Sequence, residues 1–159
     1  MSILVLGLGN LVMTDDALGS LVVRTLAQRF TFPEEVELLD GGTLGLDLLP
    51  RLEGITKLLV VDALEMGAEP GTLFRLEGEA VPRAFANKLS VHQMGLQDLL
   101  AVAELQGHLP PQLVVWGAQS ASIEMGTELS DQLVPALEKV VAAVVEELAG
   151  WGALPVQAA

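Results

Sequence analysis

The sequence has no cysteine among its 159 residues. This absence excludes disulfides, thiolate metal ligands and a cysteine nucleophile, and it is compatible with a reducing compartment. Positive charge is also scarce, because eight Lys and Arg residues stand against 21 Asp and Glu residues, for a formal net charge of -13. Such a field repels nucleic acid and favours cations or basic protein segments, so we expect no nucleic-acid partner.

Membrane signals and the common peptidase motifs are missing as well. No apolar run is long enough to span a bilayer, and the chain enters a strand directly, without a basic leader or cleavage site. We therefore expect no membrane insertion and a cytoplasmic location.

The sequence contains two histidines and neither a Gly-x-Ser-x-Gly nor a His-Glu-x-x-His motif. The serine, cysteine and zinc-helix peptidase mechanisms therefore lack their residues.

The hydrophobic pattern predicts an α/β fold, because short β-rich runs alternate with helical periodicity. We expect a single domain over residues 1–150, with helices on both faces of a twisted, mostly parallel sheet of about five strands. Residues 151–159 are expected to form a flexible tail. Residues 72–76 follow a Pro-Gly turn too short for a crossover helix, which predicts one antiparallel strand. The remaining strands are predicted at Ile3-Leu8, Val36-Asp40, Lys57-Asp62 and Gln112-Gly117.

Two acidic positions follow predicted strands at the sheet edge where ligands bind. The first strand leads through Gly7-Leu8-Gly9-Asn10 to Asp16, and Asp62 ends the third strand. In a doubly wound sheet the loops leaving these strands diverge and form a binding crevice. The plainer alternative stays open, since Thr14 can cap a helix whose first turn favours acids, and Asp62 can be an ordinary turn residue.

Two further segments reach the same region. Asp40-Gly41-Gly42-Thr43 leaves the second strand, although Asp-Gly-Gly is also common turn chemistry. Ser90-Val91-His92-Gln93 has the form of a capping box, which places His92 in the first turn of a helix and favours the neutral ring that binds metals. Two carboxylates and one imidazole could bind zinc, nickel or a similar ion and leave coordination positions open.

The order and spacing of these motifs resemble those of the hydrogenase maturation endopeptidases, which remove a C-terminal extension from the large subunit of nickel–iron hydrogenase after nickel insertion. The resemblance covers nearly the whole chain. It implies that Asp16, Asp62 and His92 are the metal ligands and act in catalysis through the metal, with Asp16 in place of the commoner Glu. It also implies that the nickel is supplied by the precursor. We assign Asp40, Gly41, Gly42 and Thr43 to substrate binding.

Two other functions use some of the same residues. A dinucleotide-binding oxidoreductase would use Gly7 and Gly9 for pyrophosphate and Asp40 for ribose. Asp40 lies 31 residues after Gly9, however, and Val12 replaces the third small residue of the fingerprint. A non-catalytic nickel-binding maturation factor would use the three proposed ligands, but such carriers commonly add histidine-rich tracts that this chain lacks.

Overall fold

A computed structural model describes residues 1–42, 45–81 and 99–158. One five-stranded sheet forms its centre, with strand order β3-β1-β4-β6-β5. All neighbouring pairs are parallel except β5 and β6. The elements, in chain order, are β1 (Ile3–Leu8), the 3-10 helix η1 (Thr14–Ala17), α1 (Leu18–Arg29), β2 (Phe30–Thr31), β3 (Val36–Gly42), the 3-10 helix η2 (Gly45–Leu52), β4 (Lys57–Leu64), β5 (Leu73–Glu77), helical residues 99–105, β6 (Gln112–Gln119), α2 (Leu133–Gly150) and β7 (Val156–Gln157).

The sheet is covered on both faces, which confirms the predicted α/β architecture. Every residue of β1 is buried, as expected for a central parallel strand. One apolar layer joins α1 and α2 to the sheet. The other layer brings η2 and residues 99–105 against the opposite face. Burial of these two layers supplies the main driving force for folding, and it fixes which strand ends lie side by side.

Three strands, β3, β4 and β6, each continue two residues farther than the sequence predicted. β3 ends at Gly42 and β4 at Leu64, so Asp40 and Asp62 lie inside strands and not in the loops that follow them. The reason for β4 is its neighbour, because β6 extends to Gln119 and pairs with β4 through Leu64. The backbone N–H and C=O groups of a strand that is paired along its whole length find their hydrogen-bond partners within the sheet.

The remaining elements hold the ends of the domain together. Pro50 lies within the 3-10 helix η2, and its backbone nitrogen has no hydrogen to donate to a helical hydrogen bond. β7 pairs antiparallel with β2, and Ala153 is buried. The predicted flexibility of residues 151–159 concerns motion and stays a prediction.

Among the described residues, no helix has the length and apolar character needed to cross a membrane.

Candidate active site

The loop after β1 folds back closely on η1. A Cβ atom on Gly9 would lie 2.0 Å from the backbone oxygen of Asp16, so only glycine fits at this position. The amide of Gly9 also donates a hydrogen bond of 2.9 Å to the carbonyl oxygen of Gly42 in β3. The first loop is therefore attached to β3 on one side and to Asp16 on the other.

Asp15 anchors the first loop to a distant segment of the chain. Its side chain is fully buried. One carboxylate oxygen accepts hydrogen bonds from the amides of Ala121 and Ser122, at 2.7 and 2.9 Å, and from the hydroxyl of Ser130 at 2.9 Å. The other oxygen accepts the amide of Ser130 at 2.8 Å. Asp15 thus fixes the backbone that carries Asp16.

Thr14 does not cap a helix, so the capping alternative is wrong at this residue. Met13 occupies the cap position of η1 and makes no side-chain capping bond. The Thr14 hydroxyl donates to the carbonyl oxygen of Glu124, and its amide donates to the carbonyl oxygen of Gly126 at 2.9 Å. Thr14 also has φ of 51°, which is strained for a β-branched residue. Contacts to the 124–126 segment hold it in this conformation.

Asp16 lies in η1, which follows β1, and Asp62 lies in β4, the parallel neighbour of β1. Both are buried, with 8% and 0% of their surface exposed. η1 packs against β4, and α1 begins so close to the sheet that a Cβ atom on Gly19 would lie 2.2 Å from the oxygen of Leu8 and 2.1 Å from that of Val61. This close approach brings the segment that carries Asp16 onto the strand that carries Asp62.

The third predicted ligand, His92, lies outside the described residues, as does Thr43. Within the described ranges, no three histidine, aspartate or glutamate side chains form a group that could bind a metal ion. The two buried carboxylates have the chemistry of hard or borderline cation ligands, and they form an incomplete set by themselves. The ligand assignment of Asp16, Asp62 and His92 therefore stays a prediction.

Asp40 is held by three hydrogen bonds. One of its oxygens accepts the Ser20 hydroxyl at 2.7 Å and the Gly42 amide at 3.2 Å, and the other accepts Nε of Arg24 at 3.0 Å. Burial raises the pKa of Asp40, but the hydrogen bonds from Ser20, Arg24 and Gly42 outweigh it and hold the pKa below its usual value. Sequence reasoning did not identify the Ser20 and Arg24 partners.

The two glycines after Asp40 have different roles. A Cβ atom on Gly41 would lie 2.7 Å from a methyl group of Leu6 and 3.0 Å from one of Leu48, so this glycine makes room for the core. Gly41 also coincides with a register shift between β1 and β3. Gly42 has φ of 53°, and the nearest atom to its Cβ position is the Gly9 oxygen at 4.0 Å. Only Gly42 leaves open space for an approaching chain.

A cleft of about 420 Å³ lies at this end of β3. It is lined by residues 9–11 of the first loop, by Ser20 and Arg24 of α1, and by residues 40–42 of β3. Because Gly9 packs against the backbone of Asp16, the cleft adjoins the edge where the candidate metal ligands lie. A chain lying in this cleft could extend from β3 toward Asp16.

Comparison with known proteins assigns the chain to a family of peptidases. Residues 20–147 match the hydrogenase maturation protease family, so the chain belongs to that family and is a peptidase. The hydrogenase 2 maturation protease of Escherichia coli K12 is 40% identical, over 99% of this chain and 98% of its own.

Solved structures agree with this assignment. The hydrogenase maturating endopeptidase HybD from E. coli superposes with a TM-score of 0.95 at 37% identity, covering 99% of this chain and 98% of its own. The NiFe hydrogenase maturation protease HybD from Thermococcus kodakarensis gives a TM-score of 0.77 at 29% identity, covering 93% and 99%. The predicted family, fold class and peptidase activity are therefore confirmed.

Proposed function

We propose that this protein removes the C-terminal extension of the large-subunit precursor of a nickel–iron hydrogenase after nickel has been inserted. Asp16, Asp62 and His92 recognise the inserted nickel in this proposal. The observation that supports it most directly is the pair of buried carboxylates on adjacent elements in a chain of the hydrogenase maturation protease family. A nickel ion held by the precursor belongs to the substrate and needs no permanent place in the peptidase.

The ligand count explains why the precursor has to contribute. Two carboxylates and one imidazole provide three donors, whereas divalent transition ions usually take four to six. Ligands on the hydrogenase side complete the coordination sphere and place the scissile peptide bond beside the ion. Hydrolysis needs a polarised carbonyl or an activated water, and a Lewis acid in this position supplies that chemistry. Asp16 and Asp62 then act by orienting the substrate's ion.

The cleft beside Asp40 is proposed to position the peptide. Gly42 leaves room for a backbone to pass, and Gly9 connects the cleft to Asp16. Asp40 accepts hydrogen bonds at both of its carboxylate oxygens, so we propose that it maintains the shape of the cleft. Correct positioning of the scissile bond reduces the entropic part of the barrier to hydrolysis.

The direct test is incubation of the purified protein with a nickel-loaded large-subunit precursor, followed by mass spectrometry. We expect the wild-type protein to release a C-terminal peptide and His92→Ala to release none. His108→Ala is the matched control, because His108 is an exposed histidine outside the cleft. The capping-box sequence predicts a first-turn position for His92, where loss of the side chain should cost about 0.5 kcal/mol or less, so unfolding in urea should be nearly unchanged.

Three outcomes would change the assignment. Normal cleavage by His92→Ala would remove His92 from the site. Equal loss of cleavage in the two histidine variants would show that the effect is not specific to His92. A wild-type protein that binds nickel but leaves the precursor intact would favour the non-catalytic nickel-binding factor.

A further inference from the structure

Arg24 occupies an unusual position in the cleft beside the candidate active site. Its Nε donates to Asp40 at 3.0 Å, and about half of its side chain, 53%, remains exposed. It is the only positively charged residue among the described residues that line the cleft. In a chain with a net charge of -13, a single cation at a binding cleft is a strong local feature.

The guanidinium of Arg24 makes fewer hydrogen bonds than those of Arg29 and Arg75. Arg29 directs both terminal nitrogens to Glu138, at 2.6 and 2.7 Å. Arg75 uses Nε and both terminal nitrogens for two carboxylates. Arg24 engages Nε alone, and its terminal nitrogens donate to no residue in the described ranges. Four N–H donors in a fork that matches a carboxylate are therefore available.

Asp40 fixes the direction of this fork. The Ser20 hydroxyl and the Gly42 amide hold one carboxylate oxygen, which leaves the other to hold Nε of Arg24. A guanidinium held at Nε loses less conformational freedom when its terminal nitrogens bind a ligand. Asp40 thus acts as a positioning residue, and Arg24 is the group that faces an incoming chain.

We propose that Arg24 is a specificity-determining residue that binds a carboxylate in the C-terminal extension of the precursor. This inference rests on the proposed function. The carboxylate is either an acidic side chain of the extension or its terminal carboxylate, since both present the same pair of oxygens to the guanidinium. The cleft adjoins Asp16 through Gly9, so an extension anchored at Arg24 is directed toward the candidate ligands.

The test combines Arg24→Gln with changes in the substrate. Nickel-loaded precursor is prepared in three forms: with the native extension, with every Asp and Glu of the extension changed to Asn and Gln, and with an amidated C-terminus. We expect Arg24→Gln to raise KM about fivefold on the native precursor, as for a partly exposed charge pair, with kcat unchanged. On the form that lacks the recognised carboxylate, the two proteins should have equal KM. The form on which they agree identifies the source of the carboxylate.

Ser20→Ala tests whether Asp40 positions Arg24. This variant removes one hydrogen bond to Asp40 and leaves the guanidinium in place. Because Asp40 positions Arg24, the KM increase in Ser20→Ala should be smaller than that in Arg24→Gln and should disappear on the same form of the precursor. An Arg24→Gln effect that is absent, or equal on all three precursors, would overturn the proposal while leaving the proposed function intact. Failure of the wild-type protein to cleave any of them would overturn both.

Discussion

Replacement of Asp15 by asparagine tests whether the first loop depends on its anchor. The carboxylate is fully buried and accepts four hydrogen bonds between 2.7 and 2.9 Å. In Asp15→Asn, one of the two oxygens becomes an NH2 group. In the less costly orientation of the asparagine, this NH2 group faces the amide of Ser130. Both groups are hydrogen-bond donors, so one part-buried N–H has no acceptor. An unsatisfied donor of this kind costs 1 to 3 kcal/mol, so we expect a loss of about 2 kcal/mol.

The assay is equilibrium unfolding in urea at pH 7. Asp15→Asn should lower the midpoint while the slope against denaturant stays the same, because the surface exposed on unfolding is unchanged. Asp47→Asn is the matched control, since Asp47 is an exposed acid, and it should fall within about 0.5 kcal/mol of the wild type. Equal midpoints for the wild type and Asp15→Asn would refute the anchoring role that the structure gives to Asp15.

Three further predictions concern packing, ligand chemistry and pH. Gly19→Ala should destabilise the protein by about 3 kcal/mol in urea unfolding, because its Cβ atom would lie within 2.2 Å of two backbone oxygens. Gly150→Ala is the control and should be nearly neutral, because its Cβ atom would meet no atom within 4 Å. Asp16→Glu should retain precursor processing in a gel assay, and Asp16→Asn should lose it through loss of charge; the opposite result would remove Asp16 as a ligand. The hydrogen bond from Arg75 lowers the pKa of Glu147, so its stabilisation is present above the unfolded-state pKa and is lost as pH falls through the lower folded pKa. Glu147→Gln should therefore be about 1 kcal/mol less stable than the wild type at pH 7, and this difference should shrink as the pH is lowered and Glu147 becomes protonated. A pH-independent difference in unfolding free energy would contradict this.

The strands could be predicted because their signal is local. The apolar runs that become β1 and β4 are continuous in the sequence and fully or almost fully buried in the fold. The Pro-Gly turn likewise predicted the antiparallel strand β5 to within one residue. The ends of β3, β4 and β6 were predicted two residues too early, because their extension depends on partner strands that are distant in sequence.

The contacts that shape the candidate site were harder to predict. Asp15 binds groups 106 to 115 residues away, and no periodicity or spacing encodes such a contact. Ser20 and Arg24 are four residues apart on α1, but their common partner Asp40 belongs to another element. Sequence reasoning placed Asp16 and Asp62 at one edge of the sheet from topology alone, and the packing of η1 on β4 agrees with this.

Cleavage is proposed to require nickel inserted in the precursor, and a comparison of two forms of one precursor tests this requirement. Nickel-free and nickel-loaded large subunit are incubated with the protein under chelation that removes loose metal but not inserted nickel. Cleavage is followed by gel shift over time. We predict that only the nickel-loaded precursor is cleaved, since Asp16, Asp62 and His92 need ligands from the hydrogenase side to hold the ion. Equal cleavage of both forms would contradict the nickel requirement and indicate a peptidase that recognises sequence alone.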